Sequence, residues 1–129
     1  ETKLAIVADL GTLQRLTRLV GRGHARELAF TSHYINAERA ASIGLVNHVY
    51  EDKEKLLAAA RKMAQDIAEL SPLVVQGTKK MLAFSEDHNE EESLDHMALW
   101  NTSFLKSSDL QEAVKAFMER RKPVFTCKL

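Results

Sequence analysis

The stretch ADLGTLQRL, residues 8–16, decides the expected fold, because it leads a short apolar segment, residues 5–8, into a long helix. Gly11 and Thr12 indicate a loop that enters this helix. Apolar side chains then recur every three or four residues along one helical face, at Leu13, Leu16, Leu19 and Val20. The two glycines within residues 21–23 are expected to end the helix.

The next part of the chain predicts two shorter helices and one strand. A short helix is expected over residues 25–31, and Asn36 should cap another that runs to Ala41. From Leu45 to Tyr50 apolar and polar side chains alternate, which predicts a strand. Because a sheet needs partner strands, this strand must pair with something outside the chain or lie as an isolated extended segment.

Four more helices are expected after residue 51, each begun by a side chain that can accept a hydrogen bond from the first turn. The proposed caps are Asp52, Ser71 before Pro72, Asn89 with Glu92 as a capping box, and Ser108 with Gln111. Pro123 should close the last helix. The sequence therefore predicts a mainly α chain with six to seven helices and one short strand.

Composition excludes several classes of function. The 129 residues are 45% hydrophobic, enough for a packed core, and carry 18 basic and 18 acidic side chains. This balance gives no overall field that favours nucleic acid, and no apolar run is long enough to span a bilayer. A single cysteine allows no internal disulfide, and the five histidines lack metal-ligand spacing, so no metal site is expected.

Three stretches resemble the crotonase family of acyl-coenzyme A enzymes. Residues 8–16 resemble the family's glycine-rich turn followed by Thr-Gln-Arg-Leu, and Glu27–Val46 resembles its helix, capped turn, Ala-rich helix and Gly-Leu-Val. Asp87–Asn101, like the Ala-Asp and Gly-Thr-Leu of the first stretch, is similar to the Δ3,5-Δ2,4-dienoyl-CoA isomerase branch. The resemblance implies a mainly α fragment of the α/β crotonase fold. Residues 1–51 would end the core and carry an active-site segment, and residues 52–129 would form a helical oligomerisation region.

Glu1 and Asp9 are the candidate catalytic residues. Moving the double bonds of a 3,5-dienoyl-CoA to the 2,4 positions requires a proton to leave one carbon and another to arrive further along the chain. Two carboxyl groups in opposite protonation states can do this. In the resembling family they lie eight residues apart, the spacing of Glu1 and Asp9. Spacing alone favours the ordinary interpretation, in which Glu1 is a frayed terminus and Asp9 a helix cap.

The family resemblance implies two groups of substrate-binding residues, one early in the chain and one near its end. In the resembling family, the stretch with Gly11 and Thr12 shapes the acyl pocket, although these residues could also simply start a helix. Phe117 and Arg120 resemble the family's phenylalanine and basic residue that touch the adenine and phosphates of coenzyme A. An aromatic face can stack on adenine, and a guanidinium matches phosphate geometry. The alternative is a basic last turn that complements the helix dipole.

The family resemblance also implies partners and a location. A homotrimer or hexamer is expected, with no cofactor, because coenzyme A is part of the substrate. Cys127-Lys128-Leu129 resembles a peroxisomal address, which would bind an import receptor, and a mitochondrial location stays open. The chain resembles the later part of a longer enzyme whose oxyanion donors come from elsewhere, so we expect residues 1–129 alone to be inactive.

Two other functions remain open at this stage. An enoyl-CoA hydratase of the same family would use Glu1 to handle water and leave Asp9 without a role. The family's hydratases have glycine at the position of Asp9, which favours the isomerase. A non-catalytic helical oligomerisation module is the third possibility, supported by the amphipathic helices after Asp52.

Overall fold

The computed structural model describes residues 1–126 and is helical. A short 3-10 turn, Thr2–Leu4, precedes six α-helices. They are α1 (Thr12–Thr31), α2 (Ala37–Ser42), α3 (Lys53–Ala68), α4 (Pro72–Ser85), α5 (Glu90–Phe104) and α6 (Ser108–Met118). The predicted mainly α fragment is confirmed. The chain divides into two compact units inside α3, one of residues Glu1–Leu57 and a second from Ala58 onward, whereas the sequence placed a boundary after residue 51.

Helix α1 is interrupted where the glycines predicted an end. Gly21 has a non-helical backbone (φ 76°, ψ 168°), and the helix resumes directly after it and runs through Gly23. A left-handed φ is disfavoured for residues with a β-carbon, which explains why glycine stands at the kink. The kink allows both halves of α1 to pack on a small core. Its buried residues are Val20, Ala25 and Ile43, with Leu16, Leu28, Ile35 and Leu45 packed around them.

Helix α2 begins and ends with local hydrogen bonds. The Asn36 side chain accepts from the Arg39 backbone N–H, so the predicted cap is confirmed. At the other end the N–H of Leu45 donates to the carbonyl of Ala40 (2.9 Å), and the N–H of Gly44 donates to that of Ala41 (3.1 Å). This pair of bonds is a Schellman cap, with Gly44 at φ 77° in the left-handed position that glycine favours.

The strand predicted from Leu45 to Tyr50 is wrong. The structure has no strand within residues 1–126, and this segment is irregular backbone with bends at Leu45 and Asn47. Alternating side chains suit a strand, but strand backbone needs a neighbouring strand to complete its hydrogen bonds. Among residues 1–126 there is no such neighbour, so the segment stays irregular while Leu45 packs on the small core.

Helices α4 and α5 form an antiparallel pair, and Gly77 of α4 lies against Trp100 of α5. A β-carbon placed on Gly77 would lie 2.9 Å from the Trp100 indole nitrogen and 3.1 Å from its neighbouring ring carbon. Glycine in the middle of a helix is unfavourable by about 1 kcal/mol relative to alanine, so its presence here reflects the space that the indole occupies. Trp100 in turn packs on Phe104, with ring centroids 4.6 Å apart.

A buried polar contact joins the start of α4 to the start of α6. The Ser71 hydroxyl donates to the Asp109 carboxylate, and both side chains are buried. Ser71 also accepts a hydrogen bond from the Val74 N–H, so the cap predicted there is confirmed. The Asn89 and Glu92 capping box is confirmed as well. The cap of α6 is Ser107 and not the predicted Ser108, which is the first helical residue.

Candidate active site

Glu1 lies immediately before the 3-10 turn. Its backbone carbonyl accepts hydrogen bonds from the N–H groups of Leu4 (2.8 Å) and Ile6 (3.1 Å). The turn is tied to α1 because the Thr2 hydroxyl donates to the carbonyl of Ala29 at 2.8 Å. The Glu1 side chain is exposed and makes no cap hydrogen bond. Its backbone is therefore held in place, while its carboxylate is not used by the turn itself.

Asp9 precedes two consecutive residues in the left-handed region, Leu10 (φ 50°) and Gly11 (φ 82°). The Thr12 N–H donates to the Asp9 carbonyl at 3.0 Å, which closes the turn. Gly11 is the N-cap of α1, and no side chain makes the cap hydrogen bond there. The alternative reading of Asp9 as a side-chain helix cap is therefore wrong, and its exposed carboxylate is available for other partners.

Arg15 braces this turn from the first helical turn of α1. Its Nη1 donates to the carbonyl of Leu10 at 3.3 Å. Its guanidinium carbon lies 3.4 Å from the point where a β-carbon on Gly11 would stand. Gly11 thus serves two geometric purposes, since it adopts a positive φ and leaves room for the guanidinium. Sequence reasoning identified Gly11 but missed Arg15.

Exposed apolar side chains surround the two carboxylates along the chain. Leu4 is 74% exposed, Val7 78% and Leu10 88%. Glu1, Asp9, Gly11 and Thr12 all belong to the first compact unit. This segment therefore presents exposed apolar side chains and two exposed carboxylates.

Phe117 and Arg120 lie at the end of α6, in the second unit. The Phe117 ring is 85% exposed. The Arg120 N–H donates to the carbonyl of Phe117 (3.2 Å), and the Arg121 N–H donates to that of Ala116 (3.0 Å). This is again a Schellman cap, with Arg120 at φ 53° in its left-handed position. Within residues 1–126, the Arg120 guanidinium has no hydrogen bond or ion pair.

A clamp that the sequence did not reveal fixes the chain beyond Arg120. The Arg121 guanidinium donates to both oxygens of the Glu112 carboxylate, at 2.6 and 3.0 Å, and a third N–H binds Glu119. The Val124 N–H also donates to Glu112, at 2.9 Å. Hydrogen bonds from Arg121, and then from Val124, lower the pKa of Glu112 to about 2. The two neighbouring arginines thus differ: Arg121 is used within the fold, whereas Arg120 is not.

The other predicted features give no second site. No group of three or more metal-binding side chains occurs in the part of the chain that the structure describes. Within that same part, no helix combines the length and apolar character needed to cross a bilayer. Cys127, Lys128 and Leu129 lie outside the described residues.

Known proteins similar to this chain agree on one family. The sequence profile described as Enoyl-CoA hydratase/isomerase matches residues 1–128. A protein of Dictyostelium discoideum named mitochondrial Delta(3,5)-Delta(2,4)-dienoyl-CoA isomerase is 54% identical over 129 residues, covering 100% of this chain and 44% of its own length. An Arabidopsis thaliana protein of that name, labelled peroxisomal, is 46% identical over 97% of this chain and 45% of its own.

Solved structures show the same fold. An enoyl-CoA hydratase from Bacillus anthracis is 31% identical, with a TM-score of 0.92 over 96% of this chain and 48% of its own. One from Mycobacterium tuberculosis is 34% identical, with a TM-score of 0.91 over 98% of this chain and 50% of its own. The chain spans about half the length of these structures and less than half that of the two isomerases above.

Proposed function

We propose that this chain, which belongs to the enoyl-CoA hydratase/isomerase family, forms part of a Δ3,5-Δ2,4-dienoyl-CoA isomerase and supplies two of its catalytic carboxyl groups. The observation that carries this proposal is the placement of Asp9. Its carboxylate is exposed beside a turn that does not use it as a cap, next to apolar side chains that an acyl chain could cover. The 54% identity to a protein named as this isomerase supports the same conclusion.

The proposed reaction moves protons and electron pairs only. One carboxylate removes a proton from C2 of the 3,5-dienoyl-CoA, and the C2–H electron pair becomes part of a conjugated enolate. The other carboxyl group delivers a proton to C6, so that the double bonds end at C2–C3 and C4–C5. Glu1 and Asp9 serve opposite ends of this transfer. Because no electrons leave the substrate, the reaction needs no redox cofactor, and we propose that it needs no metal.

We further propose that Phe117 and Arg120 bind the coenzyme A moiety. Both side chains are exposed, and they lie three residues apart at the end of α6. Phe117 offers a flat apolar face for adenine, and the Arg120 guanidinium is free to bind phosphate oxygens. Retaining arginine at a backbone position that favours glycine is understandable if its side chain binds a ligand.

The test replaces each carboxyl group by its amide in the full-length natural protein. We expect Asp9→Asn and Glu1→Gln each to lower kcat for a 3,5-dienoyl-CoA by about 10²–10⁴-fold, because a positioned acid or base is lost. The Kd of a non-reactive acyl-CoA should change little, since the carboxylates act mainly in the transition state. Asp95→Asn, a change of the same kind on α5, is the matched control and should keep the wild-type rate.

The same variants separate the isomerase from a hydratase. If Asp9→Asn keeps near wild-type isomerisation, Asp9 has no catalytic role and the proposal fails. Hydration of a 2-enoyl-CoA that depends on Glu1 and not on Asp9 would then identify the protein as an enoyl-CoA hydratase. If Phe117→Ala and Arg120→Ala both keep wild-type acyl-CoA binding, the proposed coenzyme A contacts are wrong.

We also propose assembly into a homotrimer or hexamer through the region after residue 51. Helix α3 has no buried residue, although its apolar side chains include Leu56, Met63 and Ile67, each close to half exposed. Burying such a stripe against another subunit would be favourable by about 25 cal/mol per Å² of apolar surface. A monomer in light scattering of the full-length protein at micromolar concentration would contradict this assembly and leave the catalytic proposal intact.

For the cellular location we propose an organelle of fatty-acid β-oxidation. The relatives named above are labelled mitochondrial and peroxisomal. The peroxisomal alternative is tested with a fluorescent reporter that ends in Cys127-Lys128-Leu129, compared with one that lacks Leu129. Import of the first reporter alone would support recognition by a peroxisomal receptor, whereas a cytosolic signal for both would contradict it.

A further inference from the structure

We propose that Arg15 is a positioning residue that acts through Asp9, an inference that rests on the proposed isomerase function. Within residues 1–126, the hydrogen bond of the Arg15 side chain goes to the Leu10 carbonyl and not to either candidate carboxylate. Arg15 contacts the backbone of the turn that immediately follows Asp9. Its role would be to hold that turn in the one geometry that aims the Asp9 carboxylate at the substrate.

Two contacts of the guanidinium define this role. Nη1 donates to the carbonyl of Leu10 at 3.3 Å. The central carbon of the guanidinium lies 3.4 Å, and Nε 3.5 Å, from the position that a β-carbon on Gly11 would occupy. The planar group therefore both binds a carbonyl and packs against the glycine, so it contacts two successive residues of the turn.

The turn needs such support because its backbone is unfavourable. Leu10 has φ 50°, a left-handed conformation that is about 1–2 kcal/mol worse than a right-handed one for a residue with a side chain. Burial does not compensate, since the Leu10 side chain is 88% exposed. The Thr12 N–H holds the Asp9 carbonyl, but it does not hold the Leu10 peptide. Arg15 supplies the hydrogen bond on that side.

Loss of this hydrogen bond should therefore change where Asp9 points more than whether the protein folds. If the Leu10 peptide relaxes, the Asp9 α-carbon moves with it, and a shift of about 1 Å in a catalytic group can lower a rate by roughly 10²-fold. Glu1 is attached to a different part of α1 through Thr2 and Ala29, so its position should be unaffected. If Arg15 has this role, its loss should slow the proton transfer that depends on Asp9 and leave the other proton transfer unchanged.

The experiment measures the two proton transfers separately in the full-length protein. Turnover and partial exchange are followed in D₂O, and deuterium entry at C2 and at C6 is quantified for wild type, Asp9→Asn, Glu1→Gln and Arg15→Met. Arg22→Met, which removes the same charge from an exposed position further along α1, is the matched control. We expect Arg15→Met to slow exchange by about 10–100-fold at the carbon that Asp9→Asn affects, with little change at the other carbon.

A double-mutant cycle gives a second, independent readout. If Arg15 acts through Asp9, Arg15→Met should lower the rate little or not at all once Asp9 is already Asn. Arg15→Lys, which keeps the charge and one donor but not the planar packing on Gly11, should fall between wild type and Arg15→Met. Acyl-CoA affinity and the melting temperature should stay near wild type in Arg15→Met.

Each failure has a distinct meaning. Absence of isomerisation and exchange in the wild-type protein contradicts the proposed function itself. The role of Arg15 is judged when the wild type is active and Asp9→Asn is not. It is overturned if Arg15→Met slows exchange equally at both carbons or keeps the wild-type rate. Additive effects of Arg15→Met and Asp9→Asn in the double-mutant cycle also overturn it. Should Arg15→Met fail to fold, Arg15→Lys is judged by the same pattern, and misfolding of both variants makes Arg15 a structural residue and ends the proposal.

Discussion

The ends of α2 and α6 use the same Schellman cap but place different residues in its left-handed position. At α2 the residue is Gly44, with φ 77°, and at α6 it is Arg120, with φ 53°. The hydrogen bonds match in pattern and in length. Glycine adopts this conformation without steric strain, whereas arginine does so at an energetic cost. Two helix ends with the same backbone hydrogen bonds therefore differ in the side chain that the left-handed position carries.

The difference separates a position whose role is structural from one for which we propose a role in ligand binding. After Gly44 the chain continues to Leu45, which packs on the small core of the first unit. No side chain is needed at position 44 itself. Arg120 carries a guanidinium that the described fold does not use, while its neighbour Arg121 is fully engaged with Glu112. An idle guanidinium at a disfavoured backbone position fits the coenzyme A contact that we propose for Arg120.

The largest expected effect comes from giving the α2 end the residue of the α6 end. Gly44→Arg should lower the free energy of unfolding by about 1–2 kcal/mol, because a side chain would be forced into the left-handed region. Crowding should add little, since the nearest atom to a β-carbon there is the Leu19 carbonyl at 3.7 Å. Denaturant unfolding of the full-length protein measures this change. An unchanged stability would mean that the cap tolerates side chains and would remove the contrast with Arg120.

The reverse exchange should improve stability and damage binding. Arg120→Gly should raise the free energy of unfolding by about 0.5–1 kcal/mol, the relief of strain less the greater freedom of glycine in the unfolded chain. It should also weaken acyl-CoA binding by about tenfold through loss of a charge-assisted contact to phosphate. Arg120→Lys, which keeps the charge and the strain, is the control. Tighter or equal binding by Arg120→Gly would refute the coenzyme A role.

Ala5 provides a smaller, third case of the same geometry. It follows the 3-10 turn with φ 58°, and its methyl group offers no chemistry that could justify the strain. We expect Ala5→Gly to stabilise the protein by about 0.5 kcal/mol, with no binding penalty to offset it. Thermal unfolding measured beside Ala8→Gly, a change at a residue outside the set with positive φ, provides the comparison. Destabilisation by Ala5→Gly would show that unfolded-state entropy outweighs the strain.

The smallest effect concerns pH and the clamp that follows Arg120. The pKa of Glu112 in the folded chain is about 2, below its ordinary value of 4.5. A depressed folded pKa means that this carboxylate stabilises the fold fully above pH 4.5 and loses its contribution as the pH falls toward 2. The melting-temperature difference between wild type and Glu112→Gln should therefore shrink over that range. Glu91→Gln, an exposed change on α5, should show no comparable trend.

Sequence patterns predicted the parts of the fold that depend on near neighbours. Asn36, Ser71 and Asn89 are caps because each bonds a backbone N–H three residues ahead, within the range that a local pattern describes. The α6 cap was misplaced by one residue because Ser107 and Ser108 have the same hydroxyl and adjacent positions. Which serine lies just before the helix as its cap depends on backbone geometry that the sequence does not specify.

Long-range contacts were not predictable in this way. Ser71 meets Asp109 across 38 residues, and Gly77 makes room for Trp100 on another helix. Neither contact leaves a periodic signal, since each is fixed by how helices pack. The candidate site divides similarly: the family resemblance gave Asp9 and Gly11 a role, whereas Arg15 stood in the same stretch and was given none. Only the left-handed φ of Leu10 explains what its guanidinium is needed for.

Trp100 gives the protein a built-in optical reporter of one helix pair. It is the single tryptophan in the sequence, and it sits against Gly77 with the Lys80 ammonium 5.6 Å from its ring centroid. Within these 129 residues, its emission during unfolding therefore reports the separation of α4 from α5. It does not report the turn that holds Asp9, which lies in the other unit. A fluorescence melting curve could look native while the turn that holds Asp9 has already opened, so that turn has to be followed by amide hydrogen exchange instead.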